Sequence, residues 1–153
     1  MRGVGMDTTV LRVLLAEDNP DDVHAFKSAL ARRDDRAMLR LSMVHDGLSV
    51  VEFLHKSGEF AAAERPDLLV LNLNMPRMQG WEVLRHMKGD PALRKIPVVI
   101  WTISEREDDI NLSFDLGAQG YFVKPVDAAD MEAQVNAILT CFRWAYLNPC
   151  ARL

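Results

Sequence analysis

The chain has 153 residues, 49% of them hydrophobic, and a formal net charge of −4. That length and apolar content suit one domain built around one core. The acidic balance, with Lys and Arg scattered rather than blocked, argues against general binding to nucleic acid or anionic membranes.

Residues 1–10 read as an N-terminal tail without the apolar segment of a signal peptide, and no apolar run approaches the roughly 20 residues that span a bilayer, so a cytoplasmic location is expected. Leu11 to Ala16, apolar but for Arg12, is a run of the kind that forms a strand covered on both faces. Glu17 and Asp18 follow it. Asn19-Pro20-Asp21-Asp22 then opens a helix, with Asn19 suited to the N-cap, Pro20 to the first turn, and the acids to the positive end of the helix dipole. Val23, Phe26 and Leu30 recur at helical spacing.

Leu39, Leu41 and Met43 alternate with polar residues as in a half-exposed strand. Asp46 caps a helix carrying Leu48, Val51 and Leu54 that is expected to stop near Gly58. After a polar connection, Leu68 to Asn72 forms a buried strand that runs into the turn Leu73-Asn74-Met75-Pro76. A helix over Gly80 to Lys88 ends at Gly89, and Pro97 to Thr102 is the fourth strand. Ser104-Glu105-Arg106-Glu107 has the form of a capping box, and the helix it opens presents Ile110 and Phe114 before Gly117. Gly120 to Val123 is the fifth strand, stopped by Lys124-Pro125, and a last helix shows Met131, Val135, Ile138 and Phe142 on one face.

Strand and helix therefore alternate five times, which implies an α/β fold with a parallel sheet covered on both sides. In such sheets ligands bind at the carboxyl ends of strands. Glu17 and Asp18, Asn72, Thr102 and Lys124 all fall at such ends. Two carboxylates with further oxygen donors suit a hard cation such as Mg²⁺, while a lysine and a threonine there suit the oxygens of a phosphoryl group. The central residue is a carboxamide, whose nitrogen is no nucleophile because its lone pair is delocalised, so an acyl phosphate cannot form on Asn72.

These motifs resemble the receiver domain of two-component response regulators, a CheY-like module. The matching residues are Glu17-Asp18, the Asn72-to-Pro76 turn with Gly80, Thr102, Tyr121, and Lys124-Pro125. The resemblance covers residues 11–140 and implies a flavodoxin-like (βα)5 doubly wound sandwich with strand order 2-1-3-4-5, the order that chemotaxis receivers exemplify. It also implies Mg²⁺ held by Glu17, Asp18, position 72 and the backbone carbonyl of Asn74. The Asn72 side-chain oxygen would then be a neutral ligand, and affinity falls with the missing charge. In the family that the chain resembles, the residue at position 72 is the aspartate that takes phosphate from a histidine kinase. The resemblance also implies that Thr102 and Tyr121 report phosphorylation, that Lys124 contacts the phosphoryl group, and that the Lys124–Pro125 bond is cis.

The polar connection before Pro66, the segment Leu93 to Pro97 and an aromatic C-terminal arm resemble single-domain regulators that partner phytochrome-type kinases. Phe142, Trp144 and Tyr146, in the arm spanning residues 141–153, form either a surface that pairs with a second copy or aromatics folded back on the domain; the homodimer is the favoured expectation. Cys141 and Cys150 read as reduced thiols, and the four histidines (His24, His45, His55, His86) form no ligand cluster.

The function expected is a receiver in phosphorelay signalling, acting through protein–protein contacts and not as an enzyme. It would be a natural receiver that signals by binding alone, or carry an engineered near-isosteric replacement that holds the inactive form, or take phosphate at a neighbouring hydroxyl, for which Thr102 is nearest. The competing class is a flavodoxin-like small-molecule binder or phosphotransfer enzyme. The carboxylates of Glu17 to Asp22 repel a phosphate, and Asn72 supplies no nucleophile, so that class falls behind.

Overall fold

The computed structural model describes residues 9–148. Most of the N-terminal tail, together with Pro149 and Cys150, lies outside the described residues. Five parallel strands, β1 (Leu11–Ala16), β2 (Leu39–Val44), β3 (Leu68–Leu71), β4 (Val98–Thr102) and β5 (Gly120–Val123), form one sheet in the order β2-β1-β3-β4-β5. The helices are α1 (Pro20–Ala31), α2 (Gly47–Leu54), α3 (Gly80–Lys88), α4 (Glu107–Asp115) and α5 (Ala128–Leu147).

Successive side chains on a strand point to opposite faces, and that alternation divides the core in two. Leu14, Ala16, Leu69, Leu71, Val98 and Ile100 meet Val50, Phe53 and Leu54 of α2 and Val83, Leu84 and Met87 of α3. Val13, Leu15, Leu68, Val70, Val99 and Trp101 meet Phe26 of α1 and Met131, Val135, Ile138 and Leu139 of α5. Every residue of β3 is fully buried, as the central strand of a doubly covered sheet must be. Among the described residues, no helix is long and apolar enough to cross a membrane.

Local signals place most helix starts. The Asn19 side chain accepts from the Asp21 and Asp22 amides, with Pro20 in the first turn, and Asp46 accepts from the Ser49 amide. Four details differ from the sequence expectation. Helix α2 ends at Leu54, well before Gly58, because Lys56 (φ 55°) and Gly58 (φ 59°) take left-handed backbone that no helix continues. The capping box lies at Gln79 and Glu82 of α3, not at Ser104. At α4 the chain is still extended at Arg106, so Ser104 is too early to cap; its hydroxyl bonds the Asp109 carboxylate instead.

Phe114, placed on the apolar face of α4, is instead 48% exposed; the residue of α4 that is buried is Ser113, whose hydroxyl donates to the Asp109 carbonyl. The Lys124–Pro125 bond is trans, since no cis peptide occurs among the described residues; trans is the intrinsically favoured isomer even before proline.

The C-terminal arm continues α5 as one helix to Leu147. Phe142 and Tyr146 fold back against the α1–α5 side of the core, whereas Trp144 points outward and is 59% exposed. Helical spacing explains the split: 142 and 146 are one turn apart on one face, and 144 lies on the other.

Candidate functional site

The carboxyl edge of the sheet opens into a cleft of about 450 Å³ lined by Glu17 to Asp22, Asn72, Asn74, Ile103 and Lys124. Each side chain arrives there because its strand stops there. Glu17 and Asp18 leave β1, Asn72 leaves β3 with its amide still bonded to the Ala16 carbonyl, and Lys124 leaves β5 with its amide bonded to the Thr102 carbonyl. Gly80 seats α3 against this turn: a Cβ there would meet the Asn72 carbonyl oxygen at 2.6 Å.

Glu17 is fully buried and Lys124 nearly so. Lys124 Nζ donates to Glu17 Oε1 at 2.6 Å and to Asp22 Oδ2 at 2.7 Å. The other Glu17 oxygen accepts from the Asn19 amide at 3.1 Å and from Asn72 Nδ2 at 3.2 Å. Burial pushes the Glu17 carboxyl above the usual range, opposed by the Lys124 charge and hydrogen bond. The ammonium also sits 4.9 Å from the centroid of the buried Trp101 ring, an additional cation–π contact.

Asn72 defines the chemistry. Its Nδ2 faces Glu17 Oε2, Asp18 Oδ1 (3.4 Å) and the Asn74 carbonyl (3.3 Å). All three partners are acceptors, so the amide nitrogen, not the oxygen, belongs on this side. The sequence expectation gave the Asn72 oxygen as a neutral cation ligand; in the metal-free arrangement the side chain presents its nitrogen to these groups. The acidic pair and the Asn74 carbonyl fit a hard cation; the carboxamide fits it only after turning over, with loss of those three contacts.

The tertiary structure thus assembles Glu17, Asp18, Asn72, Asn74 and Lys124. Thr102 is fully buried at the end of β4 and does not line the cleft; Ile103, 73% exposed, does. Tyr121 is half-buried and donates to the Ser104 carbonyl at 2.9 Å, and burial raises its phenol. That bond fastens β5 to the β4–α4 loop beside the cleft.

Two features escaped the sequence reading. Asp22, taken from the sequence only as a helix-start acid that repels phosphate, lies in the first turn of α1 and shares Lys124 with Glu17. His55, just past the end of α2, and His86, in α3, meet at 2.7 Å between their Nε2 atoms. No local signal marks either pairing, since each crosses between elements.

The sequence profile of the response regulator receiver domain matches residues 13–136. The chain is 35% identical to the response regulator Rcp1 of Synechocystis sp., over 82% of this chain and 84% of that protein. Among solved structures it resembles the phosphorylated cyanobacterial phytochrome response regulator RcpA, with a TM-score of 0.81 and 37% identity, covering 86% of this chain and 92% of that one. The Mn²⁺-bound form of Rcp1 gives a TM-score of 0.80 at 34% identity, covering 85% and 92%.

Proposed function

The chain belongs to the response regulator receiver family, and we propose that it is a receiver whose acidic pocket is closed by its own carboxamide, so that it signals through protein–protein contact without an acyl phosphate at position 72. The observation that carries this reading is the orientation of Asn72. An aspartate there would stand as a further carboxylate beside Glu17 and Asp18, a repulsion that calls for a cation. The Asn72 amide replaces that repulsion with hydrogen bonds to Glu17, Asp18 and Asn74. Mg²⁺ or a similar ion, held by Glu17, Asp18 and the Asn74 carbonyl, binds weakly in competition with that amide.

The partner that fits best is a sensor histidine kinase of the phytochrome type, since the similar structures include phytochrome response regulators. The cleft supports a receiver over a nucleotide or flavin enzyme, because Glu17, Asp18, Asp21 and Asp22 line it and repel a ligand phosphate. The reading also includes a cytoplasmic location and a homodimer formed through the α5 arm, whose Trp144 is exposed beside the packed Phe142 and Tyr146.

The test is intact-mass analysis after incubation with a small acyl phosphate and Mg²⁺. The parent chain is expected to gain no phosphate, and Asn72→Asp to be labelled rapidly. Phosphate on the unaltered chain would overturn the reading.

A further inference from the structure

The His55–His86 pair lies outside the acidic cleft and has no part in the function above. His55 follows the last residue of α2 and His86 lies in α3. Both are exposed, yet their Nε2 atoms stand 2.7 Å apart, with the rings edge to face at 82° and centroids 5.0 Å apart. A hydrogen bond between two imidazole nitrogens needs one N–H and one lone pair, so the pair already directs two basic nitrogens at one proton.

We propose that His55 and His86 form a surface site for a divalent transition-metal ion of imidazole preference, such as Ni²⁺, Cu²⁺ or Zn²⁺, which takes the place of that shared proton, the donor ring then carrying its proton at Nδ1, and which bridges the end of α2 to α3. Imidazole suits these ions, whereas Mg²⁺ prefers oxygen. At metal–nitrogen bonds of about 2.0–2.1 Å and a tetrahedral angle, the nitrogens stand about 3.3 Å apart, roughly 0.6 Å wider than in the free pair. Exposed side chains supply that opening by small torsional adjustments.

The backbones that carry them are fixed. Phe53 and Leu54 beside His55, and Leu84 and Met87 beside His86, are buried in the same core. The two ligands are thus held in register before any ion binds, which lowers the entropic cost of chelation. No third His, Cys, Asp or Glu completes a cluster among the described residues, so water fills the remaining positions and the affinity is that of a two-ligand site.

The experiment is calorimetric titration of the untagged chain with Ni²⁺ in excess Mg²⁺, which occupies oxygen sites, for the parent, His55→Gln and His86→Gln. Expected are one Ni²⁺ per chain and a loss of affinity in each variant of at least the roughly tenfold that removing even an outer-shell partner of a metal costs. Substoichiometric Cu²⁺ should broaden amide resonances around His55 and His86. Nickel binding insensitive to either substitution, or copper broadening centred on Asp18 instead, would overturn the proposal. Both positions are exposed, so folding of the variants is not at issue, and equal unfolding midpoints without metal check that directly.

Discussion

Lys124 Nζ and Glu17 Oε1 meet at 2.6 Å across 107 residues of sequence, with almost no solvent access to either side chain. This contact ties the end of β5 to the end of β1 on the α1 side of the cleft. Removing one partner leaves the other as an uncompensated buried charge. Lys124→Met should cost about 3–5 kcal/mol in urea unfolding. The double variant Glu17→Gln with Lys124→Met should recover part of that loss, and a double variant no better than the single would argue against the pairing as the cause.

Asn72→Asp should lower stability in metal-free buffer, because a third carboxylate joins Glu17 and Asp18 where the amide now donates to both. Mg²⁺ should raise the unfolding midpoint of the Asp variant by more than it raises the parent's. Thermal unfolding of both proteins with and without Mg²⁺ measures the difference. Equal responses would show that the carboxamide does not stand in for a cation.

Gly47 and Gly80 are required by space, since neither has a positive φ. A Cβ on Gly47 would lie 1.9 Å from the Met78 carbonyl oxygen, and one on Gly80 2.6 Å from that of Asn72. Both neighbours are backbone and cannot swing aside. Each Gly→Ala substitution should cost roughly 1–3 kcal/mol by overpacking, and only Gly80→Ala should also perturb the Asn72 side-chain amide resonances.

Arg33 grips both oxygens of Asp35 at 2.8 and 2.9 Å and bonds Asn136 and Thr140 of α5. These hydrogen bonds hold the Asp35 carboxyl below its usual range, aided by the charges of Arg33 and Arg143 and opposed by burial. A depressed carboxylate adds stability that is fully present above the ordinary carboxylate range of the unfolded chain and is lost as pH falls through the lower folded value. Arg33→Ala should therefore cost about 1.5–3 kcal/mol at neutral pH, and the deficit should shrink in acid as Asp35 is protonated in both proteins. A pH series of urea midpoints tests the sign.

Trp144 and Phe142 separate the proposed dimer contact of the C-terminal arm from its packing on the domain. Trp144→Ala should change stability by no more than about 0.5 kcal/mol while shifting elution towards the monomer. Phe142→Ala should destabilise the fold itself, because that ring packs on the α1–α5 core. Shortening the chain to Thr140 would remove both rings and the Arg143–Asp35 ion pair together, so point substitutions discriminate better.

Alternation of apolar strands with amphipathic segments, the Asn19 and Asp46 caps and the glycine after α3 are local signals. They made the fold order and most element bounds legible before any contact was known. The chemistry of Asn72 was equally legible, because the inertness of a carboxamide depends on its own bonding. The misplaced details depend on neighbours: Ser104 resembles a cap until the extended Arg106 delays the helix, and Phe114 resembles a core residue until its position leaves it half in solvent.

By itself the sequence determined the parallel α/β architecture, the set of strand ends that carry polar groups, and the absence of a carboxylate nucleophile at position 72. Only the tertiary structure decided which atom of Asn72 faces the acids, that Lys124 is shared between Glu17 and Asp22, and that His55 meets His86. The physical reason is range. Propensity, capping and periodicity act within a few residues, whereas hydrogen-bond direction and charge pairing are set by groups that only the folded chain brings within about 3 Å.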